Sequence, residues 1–521
     1  MALDQPPLPP SAAPVAAIVV AGPQATDLIT VSSNGFNYTV TGNTLLYPDV
    51  VISSLAKGED PKAAVGALHA AYLSAGYFLA TLLAKVDEKE VAITVVEGRI
   101  TEAGVPPDLE PFFRNARDRK DIDRQTMMLG ATMAEAYAAR QGVQPRLQFG
   151  PAADYGGSKL TITEQPIEGA KPWGAVLAFN NFGNRYSSRY VAQGNVSFRP
   201  GDGVELTAGY VQGLPNLATE SKGSTYNAGS IGASIVTPWG FYNFSYSATN
   251  YRYGDVVSFL NPEGETSTFA LTGTQLLYAD ETTRFGVNQG YSYLTNKVII
   301  PSADFTLTDQ NYDVLSVGFT YQKVYALFGQ PGSASGSFTF QKGLGSREGT
   351  FANIQAGIST PRFNLYQGSV SVTQGLPAGF NLAVALSGQV GELNDYERLP
   401  SNQQWVLGGF GNLTAWYPGI VSGDSGYLAR MVATGPLWTW GEFNVSPSAF
   451  VEAGGSRTNY IYPDVPNSQF LSDYGIGLTS TAFRRGTINM AYAWPWRTRD
   501  AGPLIVNDSR ARLYFNVALS F

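Results

Sequence analysis

Cysteine is absent from this 521-residue chain, which removes disulfides, thiolate nucleophiles and cysteine-ligated metals. Histidine occurs once, as His69. With one imidazole and no thiol, the usual donors of a transition-metal site are missing. A Ser–His–Asp triad would need His69, far in sequence from the serines of the C-terminal two-thirds. Charge is scarce: Asp, Glu, Lys and Arg make up 14%, against roughly a quarter in ordinary soluble domains. The net charge of −7 contains no basic tract, so no nucleic-acid partner is expected. No apolar run approaches the ~20 residues of a membrane-crossing helix. No glycine-rich phosphate loop is found, and neither a cofactor nor an enzymatic activity is expected. No secretory leader is read at the start, where Asp4 and a Pro-rich stretch follow Met1. That start is expected of a mature or recombinant form, with processing near Ala2 or Leu3.

What the chain does contain is glycine and aromatics: 57 Gly, 29 Tyr and 28 Phe, at a mean hydropathy of −0.08. Few charges, many aromatics and near-neutral hydropathy fit a membrane β-barrel, where only alternate residues face lipid. The pattern along the chain divides into four parts. Residues 1–26 are rich in Pro and Ala and are expected to form an extended tail. Residues 27–98 mix periods. Tyr38 to Leu46 reads as a strand, and Asp60-Pro61 opens a helix with Asp as cap and Pro in the first turn. Val65, Leu68 and Tyr72 make its apolar face, and Gly76 its stop. Phe78 to Val86 and Val91 to Val96 read as strands. His69 falls away from the apolar face and is expected to be solvated. Residues 99–168 repeat a strand–helix–helix–strand–strand plan. Its parts are Ile100 to Gly104, Leu109 to Ala116, Asp121 to Gln141, Val143 to Phe149 and Lys159 to Glu164.

From 169 to 521 helical periodicity disappears and alternation takes over. Tyr242, Phe244 and Tyr246 alternate with Asn243, Ser245 and Ser247; Phe380, Leu382, Val384 and Leu386 alternate with Asn381, Ala383, Ala385 and Ser387. Such a sheet in lipid must close on itself. About 350 residues at roughly 20–22 per strand and turn predict about 16 strands. Trp239, Trp416, Trp438 and Trp440 are expected as interface girdle or loop anchors. The last strand carries Leu513, Phe515, Val517, Leu519 and Phe521 on one parity. The terminal aromatic after an alternating strand resembles the signal read by the outer-membrane barrel assembly machinery.

Three further segments carry a family resemblance. Ala70-Ala71-Tyr72-Leu73-Ser74-Ala75-Gly76-Tyr77 followed by Val95-Val96-Glu97-Gly98-Arg99-Ile100 resembles the ending of a POTRA domain, and the next sixty residues resemble a second one. Leu407-Gly408-Gly409 with Ser422-Gly423-Asp424-Ser425-Gly426-Tyr427 resembles the sixth loop and following strand of two-partner secretion transporters. These are the haemolysin and haemagglutinin secretion pores of the barrel-insertase superfamily. The resemblance implies a roughly 16-stranded outer-membrane barrel behind two periplasmic POTRA domains. It further implies a pore that takes an unfolded secreted partner, of the β-helical exoprotein class, to the cell surface without ATP. Capture would proceed by β-augmentation on a sheet edge. Outer-membrane lipid and lipopolysaccharide would surround the barrel.

The chain departs from the family at one point. A Val-Arg-Gly-Tyr/Phe tetrad is expected in the loop; the aligned residues are Leu413, Thr414, Ala415 and Trp416. The partner strand motif F-x-D-x-G reads Phe450-Val451-Glu452-Ala453-Gly454. Thr414 can hydrogen-bond a carboxylate but cannot neutralise it, and a bidentate Arg–carboxylate pair is stronger than a neutral bond. Two readings follow: Trp416 packing and Arg430, or another lumenal cation, hold the loop and pair Glu452; or the loop is looser. Glu452 is expected to face the lumen because Phe443, Val445 and Val451 take the other face. Gly423, Asp424 and Gly426 read structurally as a tight turn into a strand, with no helix following to make a nucleophile elbow. A barrel-assembly insertase or surface-scaffold barrel of the same superfamily is the alternative function, and a passive porin leaves the N-terminal units unexplained.

Overall fold

The computed structural model describes residues 28–117, 119, 121–184, 186–254, 259–347, 358–459, 467–482, 485–500 and 512–521. The Pro-rich tail of residues 1–26 lies outside them. The chain separates into two units: residues 1–170 with two short turn segments, and the remainder to Phe521.

The N-terminal unit holds two α/β layers. In the first, strands β1 (Ile29–Ser33), β2 (Phe36–Thr41), β3 (Thr81–Asp87) and β4 (Glu90–Val96) form a sheet of order β1-β2-β4-β3. Helices α1 (Pro48–Leu55) and α2 (Pro61–Ser74) lie between β2 and β3 in sequence. β2 pairs with β4 in parallel and β3 with β4 antiparallel. The Asp60 carboxylate caps α2 by accepting from the Ala63 N–H at 2.7 Å, and Gly76, at φ +94, ends it in the left-handed region. Leu68 and Tyr72 are buried against Tyr38, Val40, Leu55 and Ile93.

Four expectations change here. The strand predicted over Tyr38 to Leu46 ends at Thr41, because the chain turns into α1. The strand predicted over Phe78 to Val86 starts at Thr81. A hairpin strand, β1, precedes the predicted plan. His69 is half-buried, its Nε2 lying 3.2 Å from the Ala80 carbonyl, rather than solvated. The α2 surface beside the apolar face is covered by the segment entering β3.

The second layer repeats the plan. It comprises β5 (Arg99–Gly104), α3 (Glu110–Phe113, continued by a 3-10 turn to Ala116), α4 (Arg124–Arg140), β6 (Val143–Pro151) and β7 (Gly157–Pro166), in sheet order β5-β7-β6. Asp123 caps α4 by accepting from Thr126 N–H at 2.8 Å. Ile100, Phe113, Met127, Met128, Leu160 and Ile162 are buried in this layer.

The second unit is a closed antiparallel barrel. Its strands are β8 (Trp173–Asn180), β9 (Val191–Gly201), β10 (Val204–Gly213), β11 (Thr225–Thr237), β12 (Gly240–Arg252), β13 (Glu263–Ala279), β14 (Thr283–Ile300), β15 (Phe305–Leu327), β16 (Gln330–Arg347), β17 (Asn364–Gly375), β18 (Asn381–Glu392), β19 (Ser425–Thr434, resumed at Trp438–Trp440), β20 (Phe443–Arg457), β21 (Ser468–Ala482), β22 (Gly486–Arg499) and β23 (Arg512–Ser520). Both parts of β19 pair with β20, so the barrel has 16 strands. The last strand closes on the first from Asn516↔Asn180 to Ser520↔Val176. Phe521 adds to this closure by donating its N–H to the Ala175 carbonyl at 2.9 Å.

Outward positions are apolar and exposed, as at Ile231, Leu315, Val370, Leu386 and Ile476. In β23 Leu513, Val517 and Leu519 face outward, while Arg512 and Tyr514 are buried inward. Turns at one end are tight, as at 202–203 and 328–329. At the other end they lengthen, as at 181–190 and most of all at 393–424. Trp173, Trp239, Trp438 and Trp440 cluster at the tight-turn end, all exposed. Trp416, by contrast, is buried to 1% exposure.

Candidate functional site: a loop tip held by lumenal carboxylates

The long connection between β18 and β19 folds inward. Trp405–Leu407 pairs with Val421–Gly423 as a short antiparallel hairpin, and the residues between form its tip. Glycine makes the tip feasible: Gly408 sits at φ +104, and a Cβ there would meet the Tyr417 carbonyl oxygen at 2.0 Å. Leu413 takes φ +63 without being glycine, a strained conformation that persists only where surroundings impose it. Those surroundings are a closed apolar cluster of Leu407, Leu413, Ala415, Trp416, Val421, Phe450, Leu471, Ala491 and Ala493.

All four tip residues, Leu413, Thr414, Ala415 and Trp416, are buried. Two consecutive N–H groups point at two carboxylates. Thr414 N–H donates to Glu452 Oε2 at 2.6 Å, and Ala415 N–H donates to Asp473 Oδ2 at 2.7 Å. The Thr414 hydroxyl does not reach a carboxylate, contrary to one option left open by the sequence; it accepts from Gly411 N–H at 3.0 Å within the loop. The Trp416 carbonyl accepts from Gly409 N–H at 2.9 Å and Tyr514 O–H at 3.1 Å. The guanidinium of Arg512 stacks on the next loop residue, with its carbon 3.6 Å from the Tyr417 ring centre.

Strand register assembles the charged part. Arg430 pairs with Glu452 across β19 and β20, and Glu452 pairs with Asp473 across β20 and β21. Arg430 Nε lies 2.7 Å from Glu452 Oε1. The contact misses hydrogen-bond alignment, so its pull is mainly Coulombic. The same guanidinium sits 5.7 Å from the Phe450 ring centre. Glu452 and Asp473 are fully buried, and the cation Arg430 contacts Glu452 directly. Buried charge is costly unless paired, so these acids keep their place only while the tip N–H groups and Arg430 serve them. Gly454 completes the motif by its lack of a side chain: a Cβ would lie 3.2 Å from Leu407 and 3.4 Å from Leu413.

A second clamp sits at the loop's exit. Asp424, 1% exposed, accepts from Leu399 N–H at 2.8 Å and Asn459 N–H at 2.7 Å. It thereby ties the loop to the segment after β20. Gly423 runs against the Arg457 carbonyl, and Trp405 lies over Gly426, where a Cβ would meet the indole at 2.1 Å. Phe515, Val517, Leu519 and Phe521 are not part of this site; they belong to the outward face of the closing strand. Asp473, Arg512 and Tyr514 were not singled out in the sequence. Asp473 shares inward parity with buried Leu471, and that was its one local signal. Among the described residues no group of three or more His, Cys, Asp or Glu could hold a metal ion.

Comparison with known proteins bears on the family and the fold. The family model for haemolysin secretion/activation proteins ShlB/FhaC/HecB matches residues 156–478, more than half the chain. No curated protein matches. Among solved structures, CdiB from Escherichia coli is similar at TM-score 0.76 and 17% identity, over 99% of this chain and 94% of that one. CdiB from Acinetobacter baumannii is similar at TM-score 0.72 and 14% identity, with the same coverages. At these identities the likeness speaks to the fold.

Proposed function

We propose a working cycle from the premise that this chain belongs to the haemolysin secretion/activation family ShlB/FhaC/HecB, outer-membrane β-barrels of two-partner secretion. In our reading the long loops face outside and the tight turns face the periplasm, the usual disposition in such barrels. The two α/β layers act as periplasmic POTRA domains, spanning the intervals 27–98 and 99–168. They capture one secreted polypeptide of the β-helical class, unfolded, and the barrel passes it outward. Folding outside, rather than ATP, supplies direction.

The observation that carries this reading is the loop tip inside the lumen. A tip held by two backbone bonds to carboxylates is firm but displaceable. Hydrogen bonds to charged groups contribute about 1.5–3 kcal/mol each. The insertion is also imperfect: the buried Trp416 Nε1 and Asp473 Oδ1 find no hydrogen-bond partner among the described residues. A passing chain that offers its own N–H groups to Glu452 and Asp473 replaces the tip's two backbone bonds at little net cost, leaving the apolar packing around Trp416 to be displaced. Arg430 stands in for the cation that the family carries at position 414, and it does so from the wall. The charge then stays behind when the loop leaves.

Capture needs an open sheet edge. β3 supplies seven residues at the outside of its sheet, with Leu83 and Val86 exposed. β6, the corresponding edge of the second layer, contains Pro145 and Pro151, and proline removes the donors that a ladder requires. We therefore assign capture to β3. Deleting the gene is expected to trap one large exported protein in the periplasm. An unchanged set of surface and secreted proteins would overturn the reading. Proline placed in turn at Leu83 and Ala84 removes one edge-facing N–H in one variant and one sheet-internal N–H in the other. The edge-facing variant is expected to abolish cargo retention with the sheet intact.

A further inference from the structure

The outer wall carries a feature that export does not use. At the long-loop end a cavity of about 300 Å³ opens between β19, β20, β21 and β22. Register explains it. Tyr427 pairs with Gly455, Gly455 with Phe470, and Phe470 with Arg499. These four residues form one row across four strands, and Gly388 extends it beyond Tyr427. A glycine between two rings leaves a trough: the Tyr427 ring lies beside Gly455, 2.9 Å from where a Cβ would stand. One step nearer the loops, Arg457 pairs with Ser425 and Ser468. Val390, Tyr427 and Arg457 are exposed, so this row lies on the lipid side of the wall. The lumenal parity of Glu452 and Gly454 is the other one.

Arg457 and Arg499 thus flank an apolar trough. Two strand spacings separate them, about 10 Å across the sheet and about 7 Å along it, a span that two extended guanidiniums can close on one group. Asp500 lies beside Arg499, its Oδ2 3.8 Å from Nε, leaving the rim with one net positive charge. Arg497 adds another on the same parity as Arg499, its guanidinium 5.5 Å from the Trp496 ring centre. The chain as a whole is acidic, so arginines gathered at one place on an apolar wall are not a sample of its average composition. Guanidinium matches phosphate in a forked geometry, and aromatic residues suit the membrane interface.

We propose that this trough binds the phosphorylated headgroup of an acylated glycolipid of the outer leaflet. A phosphate oxygen would sit between Arg457 and Arg499, and an acyl chain would lie along Tyr427, Gly455 and Phe470. The cavity suits a headgroup corner and the start of one chain, not a whole lipid. The site rests on the orientation proposed above, which puts the long-loop end at the outer leaflet.

The test uses the full chain in detergent with native mass spectrometry, and bisphosphorylated lipid A and phosphatidylglycerol as separate probes. Wild type is expected to retain lipid A and to lose it to phosphatidylglycerol only at large excess. The double variant Arg457→Ala/Arg499→Ala is expected to bind lipid A roughly tenfold to thirtyfold more weakly, the scale of two arginine contacts to anionic lipid. Lys222→Ala/Lys297→Ala removes equal charge from the β10–β11 connection and from β14 and is expected to bind as wild type. Equal binding by both double variants, or equal competition by phosphatidylglycerol, overturns the proposal. Orientation is read separately. Ser302→Cys, the sole thiol in the chain, is expected to react with an impermeant maleimide on intact cells. Lack of labelling with lipid A binding intact would overturn the orientation, and with it the outer-leaflet source, while leaving the export reading's cargo test untouched.

Discussion

Val86 in the first α/β layer is 53% exposed and Leu386 in the barrel is 55% exposed, yet the two exposures mean opposite things. Val86 lies on an edge strand facing water, beside Lys85 and Asp87. Leu386 lies in an outward row with Val370, its register partner. The α/β layers bury apolar side chains inward, around Leu68, Tyr72 and Ile93. The barrel turns most of its apolar residues outward and, beside the apolar cluster around Trp416, buries polar groups such as Glu452, Asp473, Arg512 and Gln389. Accessible area therefore predicts nothing about cost until the solvent is named. In the layers a buried polar group is an occasional exception; in the barrel wall buried polar groups hold the loop tip.

The largest expected effect tests that second half. Arg430→Ala leaves Glu452 and Asp473 side by side without the cation between wall and tip. Breaking a buried pair costs about 3–5 kcal/mol. The Arg430 side chain keeps 31% exposure, which moves the expectation to the lower end. The loop tip is expected to loosen, raising single-channel conductance in planar bilayers, and Arg430→Lys to restore part of the closure. Unchanged conductance in Arg430→Ala would show that apolar packing around Trp416 holds the tip by itself.

The matched pair comes next. Leu386→Arg puts a charge on the lipid face and is expected to cost about 2–4 kcal/mol in bilayer refolding. Val86→Arg, of nearly the same exposure, is expected to stay within about 0.5 kcal/mol. All eight tryptophans lie at or after Trp173, so tryptophan fluorescence in a denaturant titration follows the barrel alone, and amide exchange follows the layers. Similar costs at both sites would erase the distinction between the two solvents.

A pH experiment read by amide exchange in the first layer tests the layers separately. Burial pushes the Tyr72 hydroxyl well above tyrosine's ordinary value of 10.0, with Glu97 and then Tyr77 adding to it; burial also raises Tyr38, with Asp60 second. A raised folded value means that the neutral form is the one the fold accommodates. Stability is thus fully present below pH 10 and falls as pH rises past it, at up to about 1.4 kcal/mol per pH unit for each such group. Amide exchange of the first layer is expected to accelerate above pH 10, and less steeply in Tyr72→Phe. That variant starts from a lower baseline, because the Tyr72 hydroxyl donates to the buried Asn43 side chain. A residual slope from Tyr38 should remain.

The comparison also separates what sequence can and cannot disclose. Alternation in β23, or in Phe380 to Ser387, is a local property and marks both the barrel and the faces of its strands. The caps at Asp60 and the stop at Gly76 are local too. The short helix α1 escaped because its eight residues, Pro48 to Leu55, offer two turns and no capping side chain, too little for periodicity to register. The charged row escaped for another reason. Arg430, Glu452 and Asp473 lie about twenty residues apart and meet only through cross-strand register, which depends on every turn between them. The Thr414 position misled because its family role belongs to a side chain, whereas here the backbone N–H makes the bond, and backbone donors look the same in every residue.

The smallest expected effect asks whether local signals carry energy as well as information. Asp60 and Asp123 cap α2 and α4 through the same bond, to the N–H three residues on. Asp60→Ala removes a donor's partner at an exposed helix start and is expected to cost about 1 kcal/mol. Pro61 blunts the loss, because its preset φ fixes the first turn without the cap. Asp123 has no proline behind it, so Asp123→Ala should cost more than Asp60→Ala in the same amide-exchange measurement. If the order is reversed, the tertiary packing of Leu68 and Tyr72, rather than the cap, sets where α2 begins, and the layers would then depend on non-local contacts as heavily as the barrel does.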